Sequence, residues 1–416
     1  MARGRDRGRA HRARPRRASR RPTLHPGERV LRPALLCAAI TAVLLGTGPA
    51  AAAAPGDEDA RWALDAVNAA AAWKVSKGAG VTVALLGGGQ PDASLPGLSG
   101  RIELGPDLTG AAIGDDTVPP GDDATALASA IAGSGRGGGT PGIAPEARVL
   151  SVPVARSPSG GPGPAEPQDS PIARGIRYAT GRGVKVICLP VPAYAVDRVE
   201  RDAISFALSR GVVVVAAVGD AGRSPYAREN GTSYWAFPAG YPGVVGVAAA
   251  DRKGAKTAGS SDNLSVLVAA PGDRVPVTLA GGRRGAVSGT GVASALVAGA
   301  IALIKAKYPN LPPELVSRAL TATSRPRPSA GYDDKVGFGV IDAAAALRKA
   351  AELTEYGRTS SMRDDSVQDD AHFGRGPVAE GPARPGPDPV RLWIYGIAVA
   401  LGIGGFCTAA VALRRR

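Results

Sequence analysis

The sequence predicts an α/β protein, with a three-layer domain around a mostly parallel central sheet and a single transmembrane helix near the C-terminus. Short runs of unbroken apolar residues, such as Val212-Val213-Val214-Val215-Ala216-Ala217, read as strands buried on both faces. These runs alternate with helix-length segments, the pattern of a parallel sheet covered on two sides. Residues 392–413 carry no charge over 22 positions, enough to cross a bilayer as a helix.

Taken in order, residues 1–54 read as a signal peptide. A basic start precedes the apolar run 34–45, and Gly46-Thr47-Gly48-Pro49 then leads into alanines 50–54. The main domain is expected over 55–352. Within it, 59–74 reads as a helix ending near Trp73, and 80–86 as a buried strand running into Gly87-Gly88-Gly89. Helix 123–133 and strand 148–154 follow. The stretch 155–171, with five prolines and three glycines, is a surface insertion. Helix 171–182, strand 184–189, helix 197–210 and strand 212–217 continue the alternation. Strands are expected at 244–249 and 264–269, a mostly apolar helix at 292–308, and helices at 313–322 and 341–351. Residues 353–390 are charged and rich in Pro and Gly, the composition of a flexible tether. The transmembrane helix is placed at 391–413. Trp393 and Tyr395 stand at its interfacial start, and the tail 414–416, all arginine, is assigned to the cytoplasm.

Composition narrows the function. The formal charge of +14 looks like a nucleic-acid footprint, but residues 1–33 hold twelve arginines against Asp6 and Glu28 and contribute +10. Arg414, Arg415 and Arg416 add +3, which leaves +1 for everything between. The basicity belongs to targeting and topology, and no nucleic-acid partner is expected. Cys188 is the single cysteine of the main domain, so no disulfide forms within it. It reads as a small buried hydrophobe. The three histidines, His11, His25 and His372, all lie outside 55–352, so neither a zinc site nor any other cofactor is expected.

Several blocks, in a consistent order over roughly 60–350, resemble the subtilisin-like serine proteases. They include Gly78-Ala79-Gly80-Val81-Thr82-Val83-Ala84, Gly142-Ile143-Ala144-Pro145-Glu146-Ala147, Phe237-Pro238-Ala239-Gly240-Tyr241-Pro242, Ala269-Ala270-Pro271-Gly272, and the segment from Ser288-Gly289-Thr290-Gly291 to Ala300. The order of signal, ectodomain, Pro-rich tether and C-terminal span is similar to that of the mycosins, the membrane-anchored subtilases associated with type VII secretion systems. The resemblance implies a three-layer subtilisin-like fold, a single-pass type I membrane protein with the bulk of the chain outside the cytoplasm, and protein partners in a membrane secretion complex.

It also implies a dismantled catalytic site. Where the family carries its orienting aspartate, this chain has Gly87; where it carries histidine, Asp123; where it carries the serine nucleophile, Gly291. The oxyanion asparagine corresponds to Asp220. Acyl transfer needs a nucleophile, a base and oxyanion donors. Glycine supplies no nucleophile, an ordinary carboxylate is too acidic to activate a hydroxyl, and Asp220 puts an anion where negative charge would develop. Ser288, Thr290 and Ser294 lie nearby without a base and read as turn or helix-start hydroxyls. The strand that holds substrate in the family corresponds to Leu189, Pro190, Val191 and Pro192, where proline has no N–H to donate. The leading expectation is therefore an inactive structural component or stabiliser of a type VII secretion system. The alternatives are a peptidase with residual or unrecognised activity, and a non-cleaving peptide-binding module. Asp123 and Asp220 facing one cleft would also allow a shared cation or proton.

Overall fold

A computed structural model describes residues 57–109, 120–154 and 170–359, with Trp393, Ile397, Val399, Gly404 and Arg414 as isolated positions. The signal peptide, most of the 155–171 insertion, the tether beyond 359 and most of the transmembrane segment lie outside the described residues. Helices α1 (Asp57–Ala66) and α2 (Ala69–Ala72) lead to strand β1 (Thr82–Gly87) and short strand β2 (Ile102–Leu104). Then come α3 (Asp122–Ala132), β3 (Arg148–Pro153), α4 (Pro171–Gly181), β4 (Val186–Leu189), α5 (Arg198–Ser209), β5 (Val213–Ala217) and α6 (Pro225–Asn230). Strands β6 (Val245–Ala250), β7 (Val268–Pro271), β8 (Val275–Thr278) and β9 (Arg284–Val287) precede α7 (Thr290–Lys307), α8 (Pro313–Thr323) and α9 (Ala343–Thr359).

Seven strands form one parallel sheet in the order β2-β3-β1-β4-β5-β6-β7. Successive strand side chains point to opposite faces, and the two cores divide accordingly. Val83, Leu85, Val186, Cys188, Val213 and Val215 pack toward α3, α7, α8 and α9. Ala84, Leu86, Ile187, Leu189, Val214 and Ala216 pack toward α4 and α5. The result is the expected three-layer arrangement. Side chains at helix starts satisfy orphan N–H groups: Ser170 Oγ accepts from Ala173, and Asp197 Oδ1 from Val199 and Glu200.

The structure departs from the sequence reading in several places, among them strand β2 and helix α6, which had no counterpart in it. The helix expected over 59–74 breaks at Asn68, which adopts a left-handed conformation (φ 54°) and donates to Asp342 Oδ2 at 2.8 Å. The strand expected at 264–269 begins only at Val268. Leu264 is exposed, and Asn263 ties the preceding loop down by accepting from the Ser265 amide and donating to the Tyr234 carbonyl. The last helix continues to Thr359, past the boundary placed at 352. The antiparallel hairpin β8–β9 had no counterpart in the reading, since Pro276 and a glycine-rich turn obscure its alternation.

Of the described helices, α7 is long and apolar enough to cross a membrane, but it is buried at the centre of this fold and is its core helix.

Candidate functional site

In parallel α/β sheets, ligands bind at the carboxyl ends of the strands. Gly87 ends β1, Pro190 follows β4, Gly219 and Asp220 follow β5, and α7 begins against them. The structure thus brings Gly87, Asp220, Gly291 and the 189–192 segment to one edge.

Pro190 packs beside both glycine positions. A β-carbon built on Gly87 would lie 3.6 Å from Pro190 Cγ. One on Gly291 would lie 3.6 Å from Pro190 Cβ and 3.2 Å from its carbonyl oxygen. Pro190 is itself buried; at Gly87 a β-carbon would meet it in ordinary van der Waals contact, and at Gly291 the Pro190 carbonyl would be the tight neighbour.

Asp220 is not a free cleft carboxylate. Its Oδ1 accepts the Thr290 N–H at 2.9 Å, and its Oδ2 accepts the Thr290 hydroxyl at 3.3 Å. Thr290 Oγ1 in turn accepts the Gly219 N–H at 3.2 Å. The residue preceding α7, Gly289, has no side chain with which to cap the helix. Asp220 performs that task from another loop, and an anion suits the positive end of the helix dipole. Gly289 is required here: its φ is 127°, and a β-carbon would sit 3.1 Å from Asp220 Oδ2. Burial pushes the Asp220 carboxyl above its usual range, against the opposing pull of the two Thr290 bonds. Tyr194, which the sequence reading passed over, places its hydroxyl 2.9 Å from where a Gly219 β-carbon would be. Burial first, and the Asp220 charge second, push the Tyr194 hydroxyl upward. Gly219 is thus flanked by Tyr194 and Pro192, and the adjoining Asp220, though exposed, serves as a helix cap.

Asp123 is exposed in the first turn of α3. Its neighbour Asp122 pairs with Arg283 at 2.6 Å and accepts the Ala280 N–H at 3.1 Å. Asp92 accepts the Gly281 N–H at 3.0 Å. A hydrogen bond from Ser94 and that backbone bond hold the Asp92 carboxyl below its usual range. Asp122 pins the tip of the β8–β9 hairpin to the start of α3, and Asp92 pins it to the loop after β1, roles that neither local sequence discloses. Among the described residues, no group of three or more His, Cys, Asp or Glu is placed to hold a metal ion.

The three nearby hydroxyls are all engaged. Ser288 Oγ accepts the Arg274 N–H at 2.8 Å, Thr290 bonds as above, and Ser294 Oγ donates to the Gly291 carbonyl at 2.7 Å. Cys188 is fully buried 3.7 Å from Ser294 Oγ, and burial pushes its thiol up to about 12. Along the groove segment, Leu189 and Pro190 are buried, Pro192 is half-buried and Val191 is exposed. Directly beyond, Ala193 exchanges both backbone bonds with Phe237, at 2.7 and 2.6 Å. The backbone groups that would continue a peptide-binding edge are used within the chain.

The family model of the subtilases matches residues 115–339, more than half of the chain, and the chain belongs to the subtilase family. Within it the chain is mycosin-like. It is 31% identical to mycosin-1 of Mycobacterium tuberculosis over 89% of this chain and 90% of that protein. It is 29% identical to fervidolysin of Fervidobacterium pennivorans over 69% of this chain, and spans 43% of fervidolysin's length. Among solved structures, MycP1 from the ESX-1 type VII secretion system superposes with a TM-score of 0.58 at 28% identity, covering 71% of this chain and 88% of that one. MycP3 from the ESX-3 system does so at 0.56 and 26%, covering 70% and 90%.

Proposed function

We propose that this chain is a catalytically inactive mycosin-like subtilase that serves as a structural component or stabiliser of a type VII secretion system. The observation that carries the reading is that two of the positions brought to this edge, Gly87 and Gly291, have no side chain. Neither glycine offers a reacting group. No histidine occurs anywhere from 57 to 359, so a base of suitable basicity is lacking too. With Asp220 capping α7, the site's remaining carboxylate serves the scaffold.

The partner class comes from similarity: a related MycP1 is described as an essential component of the ESX-1 type VII secretion system. The chain would act from the membrane as a single-pass protein with its bulk outside the cytoplasm. The uncharged run 392–413 and the arginines that follow it support that placement. Deleting the gene tests the role. Loss of the intact secretion complex on native gels, restored by the full chain but not by residues 353–416 alone, is the expected result. Complexes that assemble normally without the protein would refute it.

A further inference from the structure

Because the central sheet is parallel throughout, every strand starts at the edge opposite the cleft, and that edge is basic. Arg148 opens β3 beside Thr82, and the Lys185 N–H donates to the Thr82 carbonyl. The Val149 N–H donates to Arg101, and the Val213 N–H to Lys185. Arg101, Arg148 and Lys185 therefore follow the sheet order, with Arg210 at the end of α5 just before β5. The end of α7 reaches the same edge, since Lys305 Nζ donates to the Gly211 carbonyl at 3.0 Å, and this brings Lys307 there. Arg148, Lys185, Arg210 and Lys307 are exposed, and among the described residues none of them is in an ion pair. The acidic residues nearby, Glu103 and Glu146, are paired with Arg182 and Lys77. Among the described residues, Glu314 lies close to Lys305, and Glu352 and Glu355 flank Leu353 and Thr354 on α9, Glu352 paired with Lys349.

The chain also leaves the domain at this edge. Leu353 and Thr354, late in α9, line a pocket together with Lys307, Tyr308 and Leu311 at the end of α7. The apolar run begins at Leu392, and residues 360–391 join it to the end of α9.

We propose that this basic edge docks on the anionic lipid headgroups of the membrane that the C-terminal run enters, which turns the cleft away from the bilayer. The proposal rests on the membrane-anchored reading above. Charge and tethering act together: each basic side chain within a Debye length of an anionic surface strengthens association about 5-fold, and the tether keeps the face near that surface.

The test uses the full chain in nanodiscs of phosphatidylcholine, with and without phosphatidylglycerol, read by hydrogen exchange. Peptides around Arg148 and Lys185 exchange more slowly in the anionic discs, while peptides around Pro190–Tyr194 do not change. High salt abolishes the difference. The triple variant Arg148→Gln, Lys185→Gln, Arg210→Gln, verified as folded by its unfolding temperature, weakens docking roughly 100-fold. Equal exchange in both discs overturns the proposal, as does protection by soluble polyglutamate with none from anionic discs, which would indicate an acidic protein partner. A chain that fails to enter discs refutes the membrane anchor instead. The same preparation is then floated with phosphatidylglycerol vesicles, where salt-sensitive flotation upholds the basic edge and its absence overturns it.

Discussion

Asp220→Ala and Asp220→Asn, compared side by side, separate a helix cap from a cleft carboxylate. Alanine removes the acceptor of the Thr290 N–H, 2.9 Å away, and of the Thr290 hydroxyl, 3.3 Å away. Thr290 is fully buried, and Gly289 offers no substitute cap. Losing such a cap costs about 1–2 kcal/mol. Asp220 is exposed, so solvent screening keeps the net loss near the lower end, about 1 kcal/mol, a fall in Tm on the order of 2 °C for a domain of this size. Asparagine keeps an oxygen acceptor and removes the charge. The Asp220 carboxyl is raised in the folded state, so the folded protein binds more protons than the unfolded chain in the window just above the ordinary aspartate value. That contribution is complete at low pH and is lost as pH rises through the folded value. Asp220→Asn is therefore at least as stable as the parent at pH 7, and its advantage shrinks on acidification. Thermal unfolding at neutral and acid pH measures both. An Asp220→Ala variant as stable as the parent, or an Asp220→Asn variant as weak as Asp220→Ala, would refute the capping role.

Other substitutions probe the same framework. Gly291→Ser puts a β-carbon 3.2 Å from the Pro190 carbonyl; it should cost about 1 kcal/mol in unfolding experiments and yield no labelling by a fluorophosphonate, since no base accompanies it. Lys305 lies buried in α7, donating to the Gly211 and Leu311 carbonyls, and burial holds its ammonium down to about 8. The unfolded chain then binds more protons between about 8 and 10.5, so stability should rise with pH across that window, and Lys305→Met should flatten the slope. Burial alone would raise the Asp262 carboxyl, but hydrogen bonds from Lys256 and Ser233 and the Lys256 charge outweigh it and hold it low. That stability is present above the ordinary aspartate value and lost as pH falls through the folded one. Asp262→Asn should lower the unfolding temperature at pH 7 and make the acid limb shallower.

What could be read along the chain was local periodicity. The valines 212–217 announce a two-faced buried strand, and β5 sits there, from Val213 to Ala217. Leu264 and Val266 suggested a strand as well, but side-chain bonds of Asn263 hold that segment in a loop, and no apolar pattern records them. The site divides in the same way. That Gly87, Asp220 and Gly291 meet at one edge follows from strand order. That Pro190 packs beside both glycine positions, and that Asp220 caps a helix beginning at Thr290, depends on contacts between segments far apart in sequence. Asp123 illustrates the reverse: its position in the first turn of α3 was legible, while its neighbour Asp122 holds the hairpin through Arg283, a partner that local sequence does not name.

The most direct test is cleavage. Purified full-length chain is incubated with a diverse peptide library, and the products are read by mass spectrometry. No cleavage above buffer is expected, and Asp123→Ala and Asp220→Ala should leave that background unchanged. Reproducible cleavage that disappears in either variant would contradict the inactive reading and assign the chain a peptidase mechanism of its own.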